Sequence, residues 1–306
     1  MIRRLVPTDY VRLASMNSTD WAVVPGGGVG GLQPTFSLPS FLWERSRLRR
    51  RSGAWICTSG VRVRGVASAR QCAGPTGWVV DHLALGPTGS EESAAELLER
   101  AAAYAGSRGA RRIFLRTPED WHMLETGRRC GFLLCTQVTV HALAGRTPLI
   151  GVEAMGEVRP RLPGDDIALF RLYNSCTPSE VRSAVGMTLQ EWQDAQEPVG
   201  RSTREFVLGD ETEIAVWIRL DRYRGRMRVQ AMLAPDWEGD SHSLVAFILG
   251  ETRNRPVLWN VPDYQAGMRM LLERVGLERA ASYSVMVKPM AVRVREPVLG
   301  LAASAD

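Results

Sequence analysis

Trp78-Val79-Val80-Asp81-His82-Leu83-Ala84-Leu85-Gly86-Pro87-Thr88-Gly89-Ser90-Glu91-Glu92-Ser93-Ala94-Ala95 is the stretch whose reading decides the fold. Its first eight residues are apolar and rich in β-branched side chains, and they stop at the turn pair Gly86-Pro87, which predicts a strand. From Glu91 to Ala105 the residues Ala94, Leu97, Leu98, Ala101 and Ala105 recur at the spacing of one helical face. A second strand is expected over Arg112 to Thr117. Thr117 is the expected N-cap of a helix opened by Pro118, and Gly131-Phe132 ends that helix before a third strand, Leu133 to Leu143.

Outward from this block the chain repeats itself. Ile2-Arg3-Arg4-Leu5-Val6-Pro7-Thr8-Asp9 lies without a gap on Val158-Arg159-Pro160-Arg161-Leu162-Pro163-Gly164-Asp165. Leu85-Gly86-Pro87 answers to Leu233-Ala234-Pro235, Ile113 to Glu119 answers to Val257 to Asp263, and Gly131-Phe132 answers to Gly276-Leu277. The period is about half of the 306 residues, a length suited to two domains. The expected layout is a first domain over residues 1–146, a linker over 147–157, a second domain over 158–296 and a tail over 297–306. In each copy a short strand, two helices and a hairpin precede the strand–helix–strand core. The hairpins are expected at Ala54 to Ala69 and at Glu205 to Leu220.

All but one of the 38 basic residues are arginine, and the net charge of +5 is modest for this length, which argues against a nucleic-acid partner. The cysteines Cys57, Cys72, Cys130, Cys135 and Cys176 form neither a Cys-x-x-Cys nor a disulfide framework and suit a reducing cytoplasm. No apolar run approaches the roughly 20 residues that span a bilayer, so no membrane partner is expected. His122, His141 and His242 stand apart, without metal-ligand spacing. Gly26-x-Gly28-x-x-Gly31 matches a dinucleotide fingerprint in letters, but Pro34 follows where a helix should open. A flexible connection or a substrate loop is the expectation. The arginine run from Arg45 to Arg51 reads as a solvated helix end.

In the order of its elements, and in the Gly-Phe after the second core helix, the chain resembles the Gcn5-related N-acetyltransferases, twice over. The resemblance implies an α/β protein of two tandem domains, each a mixed, mostly antiparallel sheet flanked by helices. It implies an acyl-CoA-dependent N-acyltransferase that moves an acetyl group from acetyl-CoA to a small-molecule or peptide amine. The family holds pantetheine on strand backbone, here at Leu83 and Leu85. It holds the pyrophosphate on amides opened by Arg or Gln, two residues, Gly, one residue, and Gly or Ala. The corresponding positions are Ser90, Ser93 and Ala95, of which only Ala95 keeps the pattern, and Glu91 and Glu92 add negative charge. In the second copy they are Glu238, Ser241 and Ser243, beside Asp236 and Asp240, so that site is expected to be lost. Asp81 and His82 are the candidate bases. Strand alternation would let only one of them face the cleft, and both also fit the polar edge of a wet strand face. The tyrosine that many members use as acid is replaced by Gly127 and Leu272. The alternative expectation is an inactive tandem fold that binds or scaffolds a partner.

Overall fold

The computed structural model describes residues 1–14, 16, 38, 41, 51–119, 121–143, 158–223, 225–253 and 255–291. The glycine loop at 26–31, the arginine run up to Arg50, most of the second helix expected in the first copy, the 147–157 linker and the tail therefore lie outside the described residues.

The first half runs β1 (Ile2–Arg4), α1 (Asp9–Ala14), β2 (Ser52–Ser59), β3 (Arg62–Gln71), β4 (Gly77–Leu85), α2 (Glu91–Ser107), β5 (Arg112–Pro118), α3 (Trp121–Arg129) and β6 (Leu133–Leu143). The second half follows with β7 (Val158–Pro160), α4 (Asp166–Cys176), α5 (Ser179–Val185), α6 (Leu189–Ala195), β8 (Thr203–Gly209), β9 (Ile214–Tyr223), β10 (Arg226–Leu233), α7 (Ser241–Glu251), β11 (Val257–Pro262), α8 (Ala266–Arg274) and β12 (Glu278–Pro289).

The aligned openings of the two halves build the same device. Arg3 donates to both oxygens of Asp9 at 2.6 and 2.5 Å while the Val6 amide donates to Oδ2. Arg159 does the same to Asp165 at 2.8 and 2.7 Å, with the Leu162 amide at 2.7 Å. Each carboxylate is buried and ties the first strand to the start of the first helix, so the pair is structural in both copies.

The strands form one twelve-stranded sheet, ordered β1-β2-β3-β4-β5-β12-β6-β11-β10-β9-β8-β7. Read from either end the order is equivalent, except that the last strands are exchanged. β12 pairs with β5, Pro118 opposite Tyr283, while β6 pairs with β11, Pro262 opposite Val138. The long antiparallel β12–β6 pair lies at the centre. Two mixed sheets are thus joined into one, and hydrogen bonding runs unbroken across the junction.

α2 and α3 cover one face of the first half through Leu97, Leu98, Ala101 and Met123, with Phe132 just after α3, on Trp78, Val80, Leu83 and Leu85. Leu13, Phe41, Ile56, Val66 and Ala84 form the core of the opposite face. The second half repeats the first of these layers with Leu244, Val245 and Ile248 against Val229 and Trp259. Two expectations are corrected. Pro118 does not open a helix; it ends β5, where its fixed φ and missing N–H are tolerated at a strand terminus, and α3 begins at Trp121. The short helix α5 carries only one buried residue, Val181, too few to mark a helical face in the sequence.

The halves also dock through α6. The amides of Ala73 and Gly74 donate to the carbonyls of Gln196 (2.8 Å) and Asp194 (3.2 Å), and Thr76 donates its amide and hydroxyl to the Asp194 carboxylate. Gly74 is required there, because a Cβ would lie 1.8 Å from Asp194 Oδ1.

Candidate active site

β4 and β5 run parallel and pair from Gly77–Arg112 only as far as Val80–Leu115. Beyond that pair β4 continues to Leu85 and β5 to Pro118, and the two strands separate into a wedge. At the same point β4 carries a bulge against β3: Ala69 faces Val80 and Ser68 faces His82, which leaves Asp81 as the extra residue. The alternation expected of Asp81 and His82 is therefore broken. Both side chains reach Ser68, whose hydroxyl donates to Asp81 Oδ1 at 2.6 Å and lies 3.1 Å from His82 Nδ1. With the single Ser68 proton given to Asp81, Nδ1 is the donor to the serine oxygen, which makes Nε2 the basic nitrogen of a neutral ring. The His82 ring packs edge-on against Phe41, with centroids 5.0 Å apart. Nor do the two residues sit on a wet strand face, since both are buried.

A line of buried charge adjoins them. Arg70 lies 3.9 Å from Asp81 and donates at 2.6 Å to Glu197, which follows α6 in the second half. Glu197 also pairs with Arg116 of β5 at 2.8 Å. Burial opposes ionisation of Asp81, but His82, Arg70 and the Ser68 hydroxyl outweigh it and hold the carboxyl below its usual range. Burial likewise opposes the Glu197 charge, and Arg70, Arg116 and Arg228 together hold it well below the usual carboxylate range. Neither Arg70 nor Glu197 carries a motif in the sequence. Only the docking of the halves brings them together, 127 residues apart.

The other predicted residues fall around the wedge. Leu83 and Leu85 point their side chains into the core beneath α2, so only their backbone can serve a ligand. Ser90 is the N-cap of α2, its hydroxyl accepting from the Ser93 amide at 3.4 Å; Ser93 is buried, and Ala95 packs on the core one turn further on. Glu91 pairs with His122 at 3.0 Å and with Arg129 at 3.5 Å. Glu92 is held below its usual pKa by a backbone amide, by Ser90 and by the charges of Arg129 and Arg64. Arg64 escaped the sequence reading. From β3 it donates to the Thr88 carbonyl at 3.2 Å and to the Ser90 hydroxyl at 3.1 Å, placing a guanidinium on the loop that lacks the usual Arg or Gln. The β3–β4 register that sets Gly65 against Leu85 puts it there.

The second half differs at each point. β10 pairs with β9 from Arg226 to Leu233 without a bulge, so Asp81 has no counterpart. β10 and β11 separate after Val229–Trp259, but the Gln265 side chain donates to the Ala231 carbonyl at 3.2 Å and bridges the gap from within. At the acid position, Leu272 is core. In the first half a Cβ on Gly127 would meet Met286 Sδ of the exchanged β12 at 2.9 Å, so any side chain there has to displace the end of Met286.

A split parallel pair, a bulge on the first of its strands and a helix N-terminus at its mouth define the GCN5-related N-acetyltransferase (GNAT) fold, and this chain has it. Over 95% of this chain and 97% of the other it is similar to the crystal structure of a GCN5-related N-acetyltransferase from Sphaerobacter thermophilus, at TM-score 0.59 and 14% identity. It is also similar to a tandem GNAT protein from the clavulanic acid biosynthesis pathway, over 94% of this chain and 98% of the other, at TM-score 0.54 and 14% identity. No protein-family sequence model and no curated protein sequence matches the chain. Among the described residues no helix is long and apolar enough to cross a membrane.

Proposed function

We propose that the protein is an acyl-CoA-dependent N-acyltransferase with one working site, in the first half, acting on a small-molecule or peptide amine in the cytoplasm. The observation that carries this reading is the contrast between the two wedges. The first has Asp81, Ser68 and His82 assembled at its bulge, whereas the second is bridged by Gln265 and has neither the bulge nor the base. The residues fit an acyl-CoA. The backbone of Leu83 and Leu85 would hold the pantetheine arm. The amides from Ser90 to Ala95, with Arg64, would hold the pyrophosphate, Glu91 and Glu92 being already offset by Arg129, His122 and Arg64. Acetyl-CoA would bring a thioester to the wedge.

His82 Nε2 takes a proton from the acceptor ammonium, directly or through a water. Asp81, through Ser68, keeps the imidazole in the tautomer that can accept it. The amine nitrogen then forms its bond to the acyl carbon as the carbon–sulfur bond breaks. Gly127 offers no proton to the departing thiolate, so solvent supplies it. The free thiols of all five cysteines suit a reducing compartment.

A second reading, an inactive tandem fold that serves as a binding or scaffolding protein, is favoured by one feature: Ser90 and Glu92 already satisfy amides of α2 that a pyrophosphate would need. Calorimetry with acetyl-CoA, followed by a thiol-release assay over a panel of amines, separates the two. Binding with turnover supports the transferase; no binding and no turnover leaves the scaffold.

A further inference from the structure

At the end of the second half remote from its wedge, Arg201, Arg204, Arg222, Arg253 and Arg255 line a hollow of about 210 Å³ together with Ser202 and Met227. Three separate segments supply them: the turn before β8 with the start of that strand, the end of β9 and the connection from α7 to β11. Among the described residues only Arg204 has a carboxylate partner, Glu251, which it grips through both its side chain and its carbonyl. The other four arginines line the same hollow. Like charges gathered around one hollow repel one another. A second observation lies in the backbone. Arg253 is held at φ +52°, the one non-glycine residue at positive φ among those described, a left-handed conformation that is unfavourable for a residue with a Cβ. Repulsion and strain at the same place are the marks of a site arranged for a ligand rather than for stability.

We propose that this hollow is a binding site for a small multivalent oxyanion, a phosphate or pyrophosphate group free or borne on a small molecule, distinct from the acyl-CoA wedge. Guanidinium forks match phosphate oxygens two at a time, and four of them beside the Arg204–Glu251 pair suit a ligand with more than one negative charge. The volume is below the roughly 300–1,000 Å³ of pockets that enclose a whole drug-sized molecule, so the anionic group is what the protein grasps. The site is independent of the transferase reading, because it uses no residue of β4, α2 or the bulge.

The test is calorimetry on the full chain at fixed ionic strength with sodium pyrophosphate, inorganic phosphate and acetate, on the natural protein and on R222S, R253S and R255S, with melting curves to show that the variants fold. One equivalent of pyrophosphate binds, phosphate binds more weakly, acetate gives no signal, and added NaCl weakens all of it. Each substitution raises the pyrophosphate Kd by about tenfold, the loss of one charge-assisted hydrogen-bonded group. No binding at millimolar pyrophosphate overturns the proposal. So does unchanged affinity in R253S and R255S, which assigns the binding to α2 or elsewhere. Binding seen only with long polyanions such as heparin also overturns it, in favour of a diffuse basic surface.

Discussion

Glu197 and Arg70 meet at 2.6 Å across the two halves of the chain, one from the segment after α6 and the other from β3, both largely withdrawn from solvent. Because Arg116 shares the same carboxylate at 2.8 Å, Glu197→Gln leaves the buried Arg116 without its counter-charge and Arg70 with Asp81, 3.9 Å away, in place of Glu197. The expected loss is about 3–5 kcal/mol of stability, read as a lower urea midpoint with an unchanged slope. Its pH dependence follows from the sign of the shift. The Glu197 carboxyl is depressed in the folded protein, so its contribution is present above the ordinary glutamate pKa, about 4.3, and disappears as pH falls further. A natural protein and a Glu197→Gln variant that lose stability in parallel below pH 4 would rule this out.

Gly74 tests the same junction through packing. Gly74→Ala must push back Asp194, whose carboxylate receives both hydrogen bonds of Thr76. The expected cost is about 1–3 kcal/mol. Gly225→Ala is not an equivalent control, since that glycine has φ +79°. Gly250→Ala, within α7 and free of close neighbours, should instead be neutral or slightly stabilising in thermal melts.

Cutting the chain after Gly151 removes β12 and β11, the partners of β5 and β6. The first half alone then exposes unpaired edges on two strands of the sheet centre. Such a fragment is expected to be insoluble or to show native-like far-UV circular dichroism without dispersed side-chain resonances. A fragment that gives a well-dispersed spectrum would show that β6 returns to its own half.

The transferase reading makes a pH prediction that distinguishes the two candidate bases. Asp81 is held below the usual carboxyl range, so if it were the base the rate would be flat from about pH 5 upward. With His82 as base, only the deprotonated ring works, and the rate rises with pH as the imidazolium loses its proton. His82→Gln should then lower turnover by roughly 100-fold or more with acetyl-CoA affinity unchanged. Asp81→Asn should lower it less and move the pH profile. A flat profile, or full activity in His82→Gln, removes the histidine from the mechanism.

Position 127 offers a last check. Gly127→Tyr restores the acid of the family pattern but drives a ring into Met286, so it should destabilise the protein and not raise the rate. Increased thiol release by that variant would show that Met286 gives way.

By itself the amino-acid sequence determined what depends on neighbours along the chain. The apolar run from Trp78 to Leu85, the helical spacing from Ala94 to Ala105 and the turn at Ser59-Gly60 are local signals, and their elements stand where they are expected. The internal repeat was legible for the same reason. Arg3 and Asp9 are six residues apart, as are Arg159 and Asp165, and each short loop forms its own ion pair. The tertiary structure alone decided what depends on register and on contacts between distant segments. No local preference distinguishes β12 from β6 as the partner of β5. The bulge at Asp81 arises from how β4 lies on β3, so alternation counted along one strand could not show that Asp81 and His82 meet at one serine. Arg64 reaches the Ser90 loop, and Glu197 reaches Arg70, across 26 and 127 residues, because folding buries charge only where an opposite charge is already in place.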